Sequence, residues 1–201
     1  MQQCHHHARQ LVIRAILFEG GLGVVALIWA YWQQIPWQQA LTPIVPYCWL
    51  GIAAGVVLLL MNYAIIEYGS RYIPALQIIK SLMEHQVAPL FKTLHPASAI
   101  VIAIISGGAE ELFFRGVLQA QIGLVGASLL FGLAHVWRKT AIPYGIYAAL
   151  IGGYFGGIYL LTQNLWVPMI AHMINNGVAI LYCQHIADPM QDQSFPEKVE
   201  L

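Results

Sequence analysis

Charge is what this chain most lacks. Asp, Glu, Lys and Arg make up 9% of its 201 residues, where an ordinary soluble domain carries roughly a quarter. Nine basic residues offset nine acidic ones, so there is neither a basic field for nucleic acid nor an acidic field for a basic partner, and nucleic-acid binding drops out. Cysteine is scarce too. Cys4, Cys48 and Cys183 lie far apart with no CxxC pair, which argues against a disulfide framework and against a thiolate metal site. Apolar residues are what is present: 59% of the chain, too many for the surface of a water-soluble monomer and far too many for a disordered one.

A bilayer supplies the missing solvent. No Asp, Glu, Lys or Arg occurs between Lys139 and Asp188, or from Ile44 to Ile66. Such runs reach the roughly 20 apolar residues that a spanning helix needs. Hydropathy gives six candidate spans: Leu11 to Tyr31, Ile44 to Ile66, Ala97 to Leu118, Ile122 to Val136, Ala141 to Leu161, and Leu165 to Cys183. The expectation is an all-α polytopic membrane protein, a single domain over residues 1–201 with about six transmembrane helices. The fourth stretch is short and must tilt or lean on its neighbours. The first is too long for the h-region of a signal peptide and is interrupted by Arg14 and Glu19, so it reads as a retained helix.

Between the second and third spans, Ala75, Leu76, Ile79, Leu82, Met83 and Val87 recur at helical spacing opposite Lys80, Glu84 and Gln86. Pro74 and Pro89 bracket them, which predicts a helix lying at the membrane interface. The polar tail after Ala187, with Pro189 and Pro196, is expected to be loosely ordered. The run His5, His6, His7 carries little functional signal.

Basic residues mark the cytoplasmic side. With six alternating spans, Arg9, Arg14, Arg71, Lys80, Lys92, Arg138, Lys139 and Lys198 all fall on one face, while the loops around Gln33 to Pro43, Gln119 to Gln121 and Thr162 to Asn164 contain none. Both termini are therefore expected to be cytoplasmic.

An ionisable group inside a membrane costs at least roughly 2.5–3.5 kcal/mol, so each one needs a reason. Arg14, Glu19 and Glu67 lie nearer span ends, where snorkelling explains them. Glu111 and Arg115 are spaced i, i+4 with the acid first, the favourable order for an intrahelical ion pair. Glu110 has no partner three or four residues away and must find one on another helix. The small residues Ser106, Gly107, Gly108 and Ala109 before it permit close helix approach or a water-filled pocket. His135 ends the phrase Phe131-Gly132-Leu133-Ala134-His135, and His172 opens His172-Met173-Ile174-Asn175-Asn176. At about 1.5 Å per residue, Glu110 lies roughly 16 Å from the turn near Gln121 and His135 roughly 21 Å. From Asn164, His172 is about 12 Å deep and Asn176 about 18 Å, so all four can meet at one level. The cluster Gly152-Gly153-Tyr154-Phe155-Gly156-Gly157 holds two overlapping GxxxG spacings and reads as a packing face. Trp29, Trp32, Trp37, Trp49 and Trp166 read mostly as interfacial anchors.

Glu110-Glu111-Leu112-Phe113-Phe114-Arg115 matches EExxxR, Phe131 to His135 matches FxxxH, and His172 to Asn176 matches HxxxN. In order and spacing these resemble the CPBP family, the CAAX prenyl protease and bacteriocin-processing (Abi-type) group of intramembrane proteases. The resemblance covers residues 97–182, a CPBP-like catalytic core. It implies peptide-bond hydrolysis inside the bilayer, with Glu110 activating water, His135 holding that water, and His172 and Asn176 stabilising the oxyanion. Glu111 and Arg115 would brace the helix. Intramembrane carboxylates and aimed donors suit that chemistry.

Family members have also been called metalloproteases, and Glu110, His135 and His172 are adequate zinc ligands with a fourth position for water. The glutamate mechanism, which needs no cofactor, uses all four residues and is preferred. The implied substrate is a membrane-associated peptide or protein, and the compact six-span form resembles the bacterial branch, placed in the cytoplasmic membrane. Two other readings compete: a non-catalytic CPBP-like scaffold or bacteriocin-immunity protein, and a small ion or proton transporter. Intact motifs weigh against the first, and the lack of internal repeats against the second.

Overall fold

The computed structural model describes residues 2–186. Met1, the tail expected after Ala187, and the side chains of Cys4 and His5 to His7 lie outside the described residues. Every regular element among the described residues is helical: α1 (Gln2–Trp32), α2 (Trp37–Ala40), α3 (Val45–Tyr63), α4 (Pro74–Leu82), α5 (Ala88–Phe91), α6 (Pro96–Glu111), α7 (Gln119–Ala134), α8 (Ile142–Thr162) and α9 (Trp166–Ile186), with short π and 3₁₀ segments between some of them. Local chemistry sets many of the ends. Proline occupies the first turn of α3, α4, α5, α6 and α8, where its missing N–H costs nothing. The His95 ring accepts from the Ala97 N–H at 3.2 Å at the start of α6. At the start of α9 the Asn164 side chain accepts from the Trp166 N–H at 3.0 Å.

The protein is an all-α polytopic membrane protein. Four stretches among the described residues are long and apolar enough to cross a bilayer: Arg9–Trp32, Val45–Gly69, Pro96–Ala134 and Lys139–Thr162. The third has 39 residues, about 58 Å if straight and far more than a hydrocarbon core of ≈ 30 Å. It is folded back on itself. Gly123 takes φ 73° and interrupts the helix, and the rings of Phe114 and Phe131, 17 positions apart in sequence, come within 5.0 Å. This stretch therefore contains both the third and the fourth expected spans. The reversal lies at Gly123 rather than near Gln119 to Gln121, because only glycine takes that φ without strain. The stretch expected as the sixth span forms α9, a helix of 21 residues that is not among those four stretches.

Close helix approach places α9. A Cβ on Gly51 of α3 would lie 2.9 Å from the Ile170 Cβ, and one on Gly107 of α6 would lie 2.8 Å from the Met173 backbone nitrogen. Both are tighter than a real side chain allows, so α9 is held between α3 and α6 at the level of its His172-to-Asn176 phrase. The glycine face of α8 is only half as expected. Gly152 and Gly156 are packed, against Phe131 and Arg115 and against Leu124 and Gln119, whereas Gly157 has nothing within 4 Å.

The interfacial helix is present as α4 followed by the π-helical Met83–Val87 and α5. Ile79, Leu82 and Ala88 are buried, so this segment lies on the bundle. Loops gather by face. Leu165 N–H donates to the Ala40 carbonyl at 2.8 Å and the Asn164 amide to the Thr42 carbonyl at 2.9 Å. At the opposite end Arg138 donates to Gln86 at 2.6 Å. The basic loop at Arg138 thus meets the segment that carries Lys80 and Gln86, and two loops free of Lys and Arg meet each other.

Candidate active site

Glu110 and Glu111 end α6, and the helix widens there into the π-helical segment Leu112–Leu118. Such insertions recur at functional sites. Glu111 is fully buried. Its Oε1 lies 3.1 Å from Arg115 Nη1, the ion pair expected from the spacing, and the same oxygen pairs with His172 Nδ1 at 2.7 Å. Arg115, equally buried, donates from Nη2 to the Gly152 carbonyl at 2.8 Å, and its guanidinium carbon lies 4.7 Å from the centre of the Phe131 ring. Glu111 is therefore more than a brace: it joins α6 directly to the histidine of the third motif. An ionised carboxylate only accepts, so His172 Nδ1 carries a proton and Nε2 is the nitrogen left for chemistry.

His172 stacks on Phe155 with ring centres 4.6 Å apart. Phe131 touches both motif histidines, its ring centre 5.9 Å from that of His172 and 4.7 Å from that of His135. His135 caps the end of α7 and pairs through Nδ1 with the Phe131 carbonyl at 2.7 Å, which protonates Nδ1. Both rings are thus held in the same tautomer with Nε2 outward. Asn176, one turn beyond His172, donates to Ser106 Oγ at 3.0 Å.

Glu110 differs from its neighbour. Both carboxylates bury an Oε2 with no hydrogen-bond partner among the described residues, but Glu110 has no ion pair like those of Glu111 with Arg115 and His172; it interacts electrostatically with His172, Arg115 and Tyr144. Counted from Gly123, Glu110 and His135 are 13 and 12 residues away, about 20 and 18 Å, so they stand level.

A cavity of about 410 Å³ carries His135, His172 and Asn176 in its wall, with Tyr144 and Tyr147 beside them. Glu110 is not part of that wall. Toward the basic face the cavity meets Lys80 and Glu67, paired at 2.6 Å, and Tyr182, which donates to Glu67 at 2.6 Å.

Glu19 departs from the snorkelling expectation. Its Oε2 is buried without a partner among the described residues, and it interacts electrostatically with Glu110 and His172. The cause is packing. A Cβ on Gly23 would lie 3.6 Å from the Ala109 Cβ, and Glu19 is one turn earlier on that face of α1. Its 13 residues from Trp32, about 20 Å, carry that signal in the sequence. Asn62, in the uncharged second stretch, is a further polar neighbour of the site that hydropathy alone hides. It accepts from Tyr147 at 2.6 Å and donates to Asn175 at 2.8 Å.

Among the described residues no three His, Cys, Asp or Glu side chains are grouped so as to hold a metal ion. Glu110, His135 and His172 do not converge as a zinc set.

A profile of the family described as "Type II CAAX prenyl endopeptidase Rce1-like" matches residues 92–178, which contain all three motifs. "Uncharacterized protein YpbD" of Bacillus subtilis (strain 168) is 30% identical over 153 residues, 76% of this chain and 76% of that one. "Putative membrane peptidase YdiL" of the same organism is 29% identical over 109 residues, 49% of this chain and 43% of that one. No solved structure matches. Profile, relatives and motifs carried on packed membrane helices agree, and the chain belongs to the Rce1-like family, within the CPBP group of intramembrane proteases.

Proposed function

We propose that the protein is an intramembrane endopeptidase that hydrolyses a peptide bond of a membrane-associated peptide or protein, with Glu110 as the base that activates water. The observation that carries this reading is that Glu110, which interacts electrostatically with His172, has a buried Oε2 without a hydrogen-bond partner and, unlike Glu111, no ion pair among the described residues. A buried acceptor left open calls for a ligand, and water is the simplest one. His135, whose Nδ1 is occupied, turns Nε2 to hold that water.

In the reaction the water oxygen attacks the carbonyl carbon while its proton passes to Glu110. The tetrahedral oxyanion accepts from the Asn176 amide and from His172, which donates through Nε2 when it carries both protons. Glu111, bonded to Nδ1, offsets the charge of that imidazolium. Glu110 then returns its proton to the departing nitrogen as the C–N bond breaks. Electrostatic holes of this kind lower barriers by about 3–4 kcal/mol per donor. The protein is read as a resident of a bacterial cytoplasmic membrane with both termini cytoplasmic, on the distribution of Lys and Arg.

The test compares membrane peptides from cells carrying the native chain or Glu110→Ala. A peptide that shortens only with the native chain is the expected result and identifies the substrate. Cleavage retained in Glu110→Ala removes Glu110 as the base.

A further inference from the structure

We infer that a one-way hydrogen-bond relay, Tyr147 to Asn62 to Asn175 to Asn176 to Ser106, fixes which face of the Asn176 amide meets the substrate, and that Asn62 and Tyr147 are therefore positioning residues for the reaction. The catalytic consequence rests on the oxyanion role proposed for Asn176. The relay itself does not.

The chain of contacts crosses four helices. Tyr147 of α8 donates to Asn62 Oδ1 of α3 at 2.6 Å, and Asn62 Nδ2 donates to Asn175 Oδ1 of α9 at 2.8 Å. Asn175 Nδ2 donates to Asn176 Oδ1 at 3.4 Å, and Asn176 Nδ2 to Ser106 Oγ of α6 at 3.0 Å. Ser106 ends the chain on the Ala103 carbonyl at 3.5 Å.

The direction of every link follows from the last. A backbone carbonyl can only accept, so the single Ser106 proton is directed there and its oxygen must accept from Asn176. That turns the Asn176 Oδ1 toward Asn175, which must donate. Asn175 in turn exposes its oxygen to Asn62, and the amide of Asn62 leaves an acceptor that a phenol O–H fills. No amide in the series can flip alone without stranding two polar groups in a half-buried setting, and flipping all three together takes the Ser106 proton off the Ala103 carbonyl.

Asn176 has two Nδ2 protons. One goes to Ser106, and the other has no acceptor among the described residues, on a side chain that lines the cavity. A flipped amide would present oxygen lone pairs to a developing oxyanion and repel it. The relay therefore selects donor over acceptor at a position where either would fit by shape.

Tyr154 provides an internal control. It also ties α8 to α3, donating to the Ala54 carbonyl at 2.7 Å, but stands outside the relay. In full-length protein in detergent micelles, nuclear magnetic resonance reads the exchange of the Asn176 side-chain amide protons with water. Tyr147→Phe is expected to speed that exchange about tenfold, the size of one lost hydrogen bond, and Tyr154→Phe to leave it unchanged. Equal effects of the two, or none from Tyr147→Phe, overturn the relay.

A second arm measures cleavage of an internally quenched apolar peptide. Tyr147→Phe is expected to lower kcat about fivefold at unchanged KM, and to do nothing further in an Asn176→Ala background. Additive losses in that background overturn the positioning role. If the native chain cleaves no peptide while the amide protection is as expected, the relay stands, and the protease reading and the positioning role built on it fall.

Discussion

Two adjacent glutamates on α6 have opposite surroundings, and they are expected to fail in opposite ways when changed. Glu111 is buried against Arg115 and His172, so Glu111→Gln strands a buried guanidinium. The cost of breaking such a pair is about 3–5 kcal/mol, readable as a lower unfolding midpoint in micelles. Glu110 shares with Glu111 an open Oε2 but has no ion pair of that kind among the described residues. Glu110→Gln is expected to leave stability within about 1 kcal/mol while reducing cleavage at least about a hundredfold. The reverse ranking of the two variants, with Glu110→Gln the unstable one, contradicts the division of labour. Chelation belongs at the same scale. Since the described His, Cys, Asp and Glu side chains form no group of three suited to a metal, a chelator is expected to leave cleavage unchanged, and activity lost to it and restored by zinc would sink the glutamate mechanism.

At the scale of elements, the hairpin between the third and fourth spans depends on one residue. Gly123 sits at φ 73°, and a methyl group added to it would meet nothing within 4 Å, so Gly123→Ala creates no clash and tests backbone strain alone. The expected loss is about 1–3 kcal/mol, measured by thermal unfolding, and a neutral result means the reversal does not need the positive φ. The sequence located this hairpin but misjudged its turn, and Gln119 is the reason. A glutamine in an apolar run reads as loop, yet Gln119 is buried and donates to the Gly156 carbonyl at 3.0 Å, tying the hairpin to α8. Spans were legible because lipid forbids charge along whole stretches, a signal that accumulates over twenty residues. Motif residues were legible because their spacing and depth converge. Asn62 and Tyr147 were not, since each lies in its own helix without a neighbouring cue and only the packing of α3 and α8 shows what each faces, while Glu19 had a depth signal that snorkelling overrode.

For the whole molecule, the distribution of charge and the position of the site lead to one expectation about access. The segment at Gln86 and the loop at Arg138 are bonded together, as are two of the Lys- and Arg-free loops through Leu165 and Ala40, so each contact joins segments of like composition. Basic residues are retained on the cytoplasmic side, and the basic face is also where the cavity meets the Glu67, Lys80 and Tyr182 cluster. A substrate is thus expected to approach the histidines from the cytoplasmic half of the bilayer. Single cysteines placed at exposed Gln33 and Lys139, in a chain whose native cysteines are replaced by alanine, test the orientation. A membrane-impermeant maleimide applied to intact cells is expected to label Gln33→Cys at once and Lys139→Cys only after permeabilisation. Labelling in the opposite order inverts the protein, and with it the leaflet in which the scissile bond must lie.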